Sequence, residues 1–153
     1  MDNCFDFTLK EGSSMLISGP TMAGKSTFVH ALLKDTNIFE KPPTNIYWFH
    51  GGQNNVGLEN KGYIIKRGLP ENFLDVPSGS VVVLDDLMNE AKDHSGVTNL
   101  FTKLVHHNRL FVINITQNFF MNSKETRTRR LNTQYVIMFK NPSDVTQVHI
   151  IGR

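Results

Sequence analysis

The residues Gly19-Pro20-Thr21-Met22-Ala23-Gly24-Lys25-Ser26 fit G-x-x-x-x-G-K-[ST] at every fixed position. Glycines let a backbone wrap closely around phosphates, with successive N–H groups pointing inward at the anion. A helix beginning near Gly24 adds its positive dipole end. In such a loop Lys25 reaches the β- and γ-phosphates of ATP and the Ser26 hydroxyl ligates Mg²⁺, while the stretch from Gly19 through Thr27 lines the cradle. Chance is the competing explanation. It is weakened by context, because the motif lies between a strand-like run and a helical pattern, as the chemistry requires.

A phosphate loop needs a second acid for the Mg²⁺ hydration shell, supplied from the end of another strand. Asp85 and Asp86 follow directly after the run Val81-Val82-Val83-Leu84. Asp85 is assigned to Mg²⁺, and Asp86 is placed to orient or deprotonate the attacking water. Glu90 is the weaker rival for that base. The bland alternative is that the two acids cap a helix starting at Leu87. Gln117 ends a further strand candidate, and carboxyl ends of parallel strands share one edge, where ligands bind. There a glutamine can sense the γ-phosphate and a water, or it can merely finish a strand.

The segment from Lys124 to Arg130 holds four basic residues in seven positions. Arg127, Arg129 and Arg130 read as a solvated charge run, a DNA-backbone contact, or an arginine finger reaching a neighbouring subunit's nucleotide. His106-His107 is a poor chelating pair, since adjacent helical residues face different ways. Tyr47-Trp48-Phe49 reads as core strand rather than a base-stacking platform.

The elements that must position these groups alternate in type. Strand patterns cover 14–18, 45–49, 63–66, 80–84, 110–116 and 135–139. Helical patterns cover 24–34, with Phe28, Ala31 and Leu32 on one face, and the stretch bearing Val97, Leu100, Phe101, Leu104 and Val105. Asn141-Pro142-Ser143-Asp144 reads as the start of a last helix. Alternating strands and helices predict an α/β domain with a mostly parallel sheet. The 153 residues predict a single domain spanning 1–153. A net charge of +2 excludes a generally basic nucleic-acid binder, so any such contact must use a local patch. No apolar run is long enough to span a membrane, and the N-terminus lacks signal-peptide character. With one cysteine, an intracellular setting is the default.

Several stretches together resemble one family: 15–28 (MLISGPTMAGKSTF), 46–53 (IYWFHGGQ), 81–90 (VVVLDDLMNE), and 106–140 with NPSD after it. The last block opens HHNRLFVINITQNFF and closes RRLNTQYVIMFK. They resemble the viral genome-packaging ATPases of the FtsK/HerA superfamily, in particular the poxvirus-type ATPases of Polinton-like and adintovirus-like elements. The resemblance implies a RecA-like, three-layer P-loop NTPase fold with the glutamine strand between the P-loop strand and the acidic strand. It also implies a homo-oligomeric ring that hydrolyses ATP to drive double-stranded DNA into a capsid, with capsid proteins as further partners, inside a virus-infected cell or on a virion. Carried over, Lys25 and Ser26 bind phosphate and Mg²⁺, Asp85 holds the metal, Gln117 is the sensor, and Arg130 or Arg127 is the finger. Ser143 departs from the arginine common at that turn in the family, and the resemblance implies a last helix continuing past Arg153.

Two other functions remain open from sequence. A small P-loop kinase would use the arginines as a lid but leaves Gln117 unexplained. An ATP-binding switch without productive hydrolysis would fit an aspartate where many motors carry glutamate. A GTPase is disfavoured, because Asn-Lys-x-Asp is absent.

Overall fold

The computed structural model describes residues 7–52, 62–117, 128 and 132–140. Strand β1 (Ser13–Ser18) is buried at all six positions, and so is β5 (Phe111–Thr116). Unbroken burial of that kind marks strands covered on both faces. β4 (Val81–Asp85) is buried except at its terminal acid. β2 (Ile46–His50), β3 (Ile64–Arg67) and β6 (Tyr135–Met138) complete a sheet of order β3-β2-β4-β5-β1-β6. Every pairing in it is parallel.

This is the RecA-like P-loop NTPase fold. The glutamine strand β5 lies between the P-loop strand β1 and the acidic strand β4, as the resemblance implied. Register aligns the carboxyl ends: Ser18 pairs with Thr116, Asp85 with Ile115, and His50 with Asp85. The strand expected from 80 begins at Val81 and the one expected from 110 begins at Phe111, the positions where these strands meet each other in register.

Alternation along the strands divides the core into two layers. One face carries Met15, Ile17, Trp48, Val83, Ile113 and Ile115 against helix α1 (Lys25–Lys34). The other carries Phe49, Val82, Leu84 and Val112 against α2 (Met88–Ala91), α3 (Ser95–Asn99) and α4 (Val105–His107). Each fully buried branched side chain contributes about 1.5–3 kcal/mol, so β5, filled on both faces, anchors the sheet. A π-helical turn at Leu100–Leu104 joins α3 to α4. Val97, Leu100, Phe101, Leu104 and Val105 are all buried, as their spacing predicts.

The face of α1 needs correction. Ala31 is exposed and Phe28 half-buried; the buried positions are Lys25, Val29, Leu32 and Leu33. The helix is rotated because its first residue must turn into the phosphate loop, which carries the i+4, i+7 and i+8 positions toward the sheet. The last helix expected from Asn141 lies outside the described residues. No helix among those described is long and apolar enough to cross a membrane.

Candidate functional site

The loop leaves β1 at Gly19, whose N–H donates to the Thr116 carbonyl at 3.2 Å. It turns through Ala23 N–H donating to Pro20 O at 3.2 Å, and passes Met22 and Gly24 at φ of 62° and 93°. The left-handed geometry at Gly24 suits glycine and sits immediately before α1. Gly19 is required for a different reason. A Cβ there would lie 2.6 Å from the Phe139 Cβ, because the chain leaving β6 crosses under the loop. Phe139 donates its N–H to Ser18 O at 2.8 Å and packs edge-on against Phe28, with ring centroids 6.0 Å apart. Gly19→Ala is therefore expected to cost about 1–3 kcal/mol by overpacking, measured by urea unfolding. An effect below about 0.5 kcal/mol, ordinary for a surface change, would show that loop and strand part freely.

Phosphate loop, acid pair and glutamine meet in one cleft of about 380 Å³. Thr21 through Thr27 form one wall, and Asp85, Asp86, Ile115, Thr116 and Gln117 form the other. Gln117 directly follows the last residue of β5; it is exposed and lines the cleft beside Thr116.

Lys25 is 9% exposed, and its ammonium donates to the carbonyls of Gly19 and, at 2.8 Å, Pro20. Burial lowers its pKa, an effect partly opposed by the nearby charges of Asp86 and Asp85. Ser26 Oγ donates to Asp85 Oδ2 at 3.4 Å, and Trp48 Nε1 donates to the same oxygen at 3.2 Å. Burial raises the Asp85 pKa; the Trp48 hydrogen bond is the largest opposing influence, and the Asp86 charge adds to the rise. A hydroxyl and a carboxylate this close are the hard oxygen donors that Mg²⁺ takes, with water completing its shell. The residues present therefore fit the ion.

Asp86 stands at φ 54°, a conformation that aspartate tolerates better than most residues. Its N–H donates to Ile115 O at 3.1 Å, which holds it on the cleft rim. Neither acid caps the following helix, whose N-cap is Leu87 without a side-chain bond. Glu90 approaches Gly51 at the exit of β2 and does not line the cleft, whereas Asp86 does.

Arg127, Arg129 and Arg130 lie outside the described residues. The described flank of that segment is tied down: Asn132 donates to Thr128 O, Ser14 Oγ donates to Asn132 O at 3.0 Å, and Ser14 N–H donates to Gln134 Oε1 at 2.8 Å. His106 and His107 are exposed, and no group of three potential metal ligands occurs among the described residues.

Sequence reasoning missed the contribution of β2. The sequence pattern marks Trp48 as core, and it is completely buried, yet its indole nitrogen reaches the acid. His50, 7% exposed, is the register partner of Asp85, and its charge lowers that carboxyl's pKa. The available signal was chemical: an indole N–H inside a doubly covered strand must find an acceptor.

No protein-family model and no curated protein sequence matches the chain. Among solved structures it is similar to the cytoplasmic domain of EssC, with a TM-score of 0.50 and 15% identity over 93% of this chain. The match spans 34% of that longer chain, about a third of its length. The likeness is one of fold, and it agrees with the parallel sheet and loop described above.

Proposed function

We propose that this chain is an ATP-hydrolysing motor subunit that translocates double-stranded DNA, of the kind that packages viral genomes. One observation carries the reading. The phosphate loop, Asp85-Asp86 and Gln117 converge on one cleft because β1, β5 and β4 are adjacent and parallel. A kinase has no use for a glutamine at this strand end in the cleft, whereas a hydrolase needs a group that touches both water and γ-phosphate. Lys25 would leave its loop carbonyls for the phosphates, Ser26 and Asp85 would hold Mg²⁺, and Asp86 and Gln117 would place the water. Mg²⁺ supplies charge neutralisation on the phosphate oxygens when bound. Arg127 or Arg130 serves as a finger toward a neighbouring subunit, which makes a ring part of the proposal, and the basic stretch around them supplies the DNA contact.

The test is ATP turnover with and without double-stranded DNA, alongside sizing in the presence of ATP. A motor gives turnover several-fold faster on DNA, a ring-sized species, and loss of turnover in Arg127→Ala or Arg130→Ala. Turnover that ignores DNA but consumes a nucleoside acceptor identifies a kinase. Binding without turnover identifies a switch.

A further inference from the structure

The contacts between α1, β2 and β4 form a closed frame around the acid. Ser26 and His30 stand four residues apart on α1, one helical turn above the other on the same side. Ser26 meets Asp85, while His30 stacks on Trp48 with ring centroids 4.7 Å apart and planes 11° apart. The Trp48 indole closes the frame by donating to Asp85 Oδ2 at 3.2 Å. Tyr63 stacks alongside, 5.8 Å from both rings. Trp48 is 0% exposed, so bulk solvent does not reach its N–H.

We propose that Trp48 is a positioning residue for the site: it fixes the orientation of the Asp85 carboxylate and ties it to the phosphate-loop helix through His30. This rests on the reading of Asp85 as a Mg²⁺ ligand. Of the two donors on Oδ2, Ser26 is itself assigned to the cation, whereas an indole nitrogen can only donate. Trp48 is thus the donor dedicated to the carboxylate. Hydrogen bonds of this outer kind orient metal ligands, and losing one typically costs about 10–100-fold in metal affinity. The aromatic stack makes the donor rigid, since the indole cannot tilt without sliding against His30 and Tyr63.

The chain contains one tryptophan, so replacement of tryptophan by benzothienylalanine, an isostere without the N–H, alters this position alone. That protein and Trp48→Phe would both be measured for binding of a fluorescent ATP analogue over a Mg²⁺ titration and in EDTA. The expected result is a half-saturating Mg²⁺ concentration raised roughly tenfold, with metal-free affinity changed less than about twofold. Equal losses with and without Mg²⁺ would overturn the proposal, because a merely structural tryptophan would weaken both. Urea unfolding of Trp48→Phe, Asp85→Ala and the double variant, each single change removing the Nε1–Oδ2 contact, reads it without nucleotide. Non-additive effects are expected, and additive ones would overturn the proposal. If the wild type binds the analogue without regard to Mg²⁺, the metal reading of Asp85 fails, and the unfolding cycle still decides whether Trp48 holds it.

Discussion

Lys25→Ala is expected to lower ATP turnover roughly a thousandfold, the scale of losing a principal donor to developing phosphate charge. The cleft's charges explain why no other group compensates. Among the described residues lining it, Lys25 is the one cation and stands opposite the carboxylates of Asp85 and Asp86. Without the ammonium the cleft presents two acids and no counter-charge to a polyanion, so nucleotide affinity falls together with turnover. The fold should survive. The variant gives up a desolvated charge whose pKa burial has already lowered, and leaves the Gly19 and Pro20 carbonyls without that donor. These costs oppose each other, so urea unfolding should stay within about 1 kcal/mol of wild type. Lys25→Arg supplies the sharper comparison. It keeps the charge, but a planar guanidinium does not replace a compact ammonium seated between two loop carbonyls. Turnover should still fall about a hundredfold. A Lys25→Ala protein retaining a tenth of wild-type turnover would place the hydrolysis elsewhere.

The loop and most of the strands were legible because each rests on a local rule. The phosphate motif dictates its own turn and helix start. Val81-Val82-Val83-Leu84 is apolar enough to mark a doubly covered strand, and Leu110 to Thr116 reads as a strand whose full burial the structure adds. Strand order is different in kind. Nothing in the spacing of β1, β4 and β5 says that the last lies between the others, and that arrangement came from resemblance. The rotation of α1 was missed because the pattern Phe28-Ala31-Leu32 is as helical as the true one, and only the loop's demand on Lys25 decides between them. Asp86 and Glu90 were likewise inseparable by spacing. The left-handed turn at Asp86 and its bond to Ile115 separate them in space. Trp48 was hidden by its own burial, since a residue that satisfies the core pattern invites no second question about its one polar atom.

The half-buried acid Asp85 gives the second large effect. Asp85→Asn is expected to reduce Mg²⁺-dependent turnover by two orders of magnitude or more, the upper range for a lost electrostatic group, and yet to make the metal-free protein more stable. The two effects have one cause. Burial raises the Asp85 pKa, so in the absence of a cation the fold favours the neutral acid over the carboxylate. The unfolded chain releases this proton first as pH rises, and stability is lost as pH climbs through the folded pKa. In acid, below the ordinary value of 3.8, the carboxyl is protonated in both states and its charge costs nothing. Asparagine never takes on that charge, and its Oδ1 can still accept from Trp48 and Ser26. The stability difference between variant and wild type should therefore be small in acid, open as pH climbs through the folded pKa, and level off above it at about 1 kcal/mol. Saturating Mg²⁺ with nucleotide should close or invert it, because a bound ion stabilises only the protein able to hold it. Thermal melts across pH, with and without Mg²⁺ and nucleotide, check each part. A variant less stable than wild type at neutral pH without metal would show that the Trp48 and Ser26 hydrogen bonds outweigh the desolvation of the charge, and that Asp85 is a structural anchor before it is a ligand.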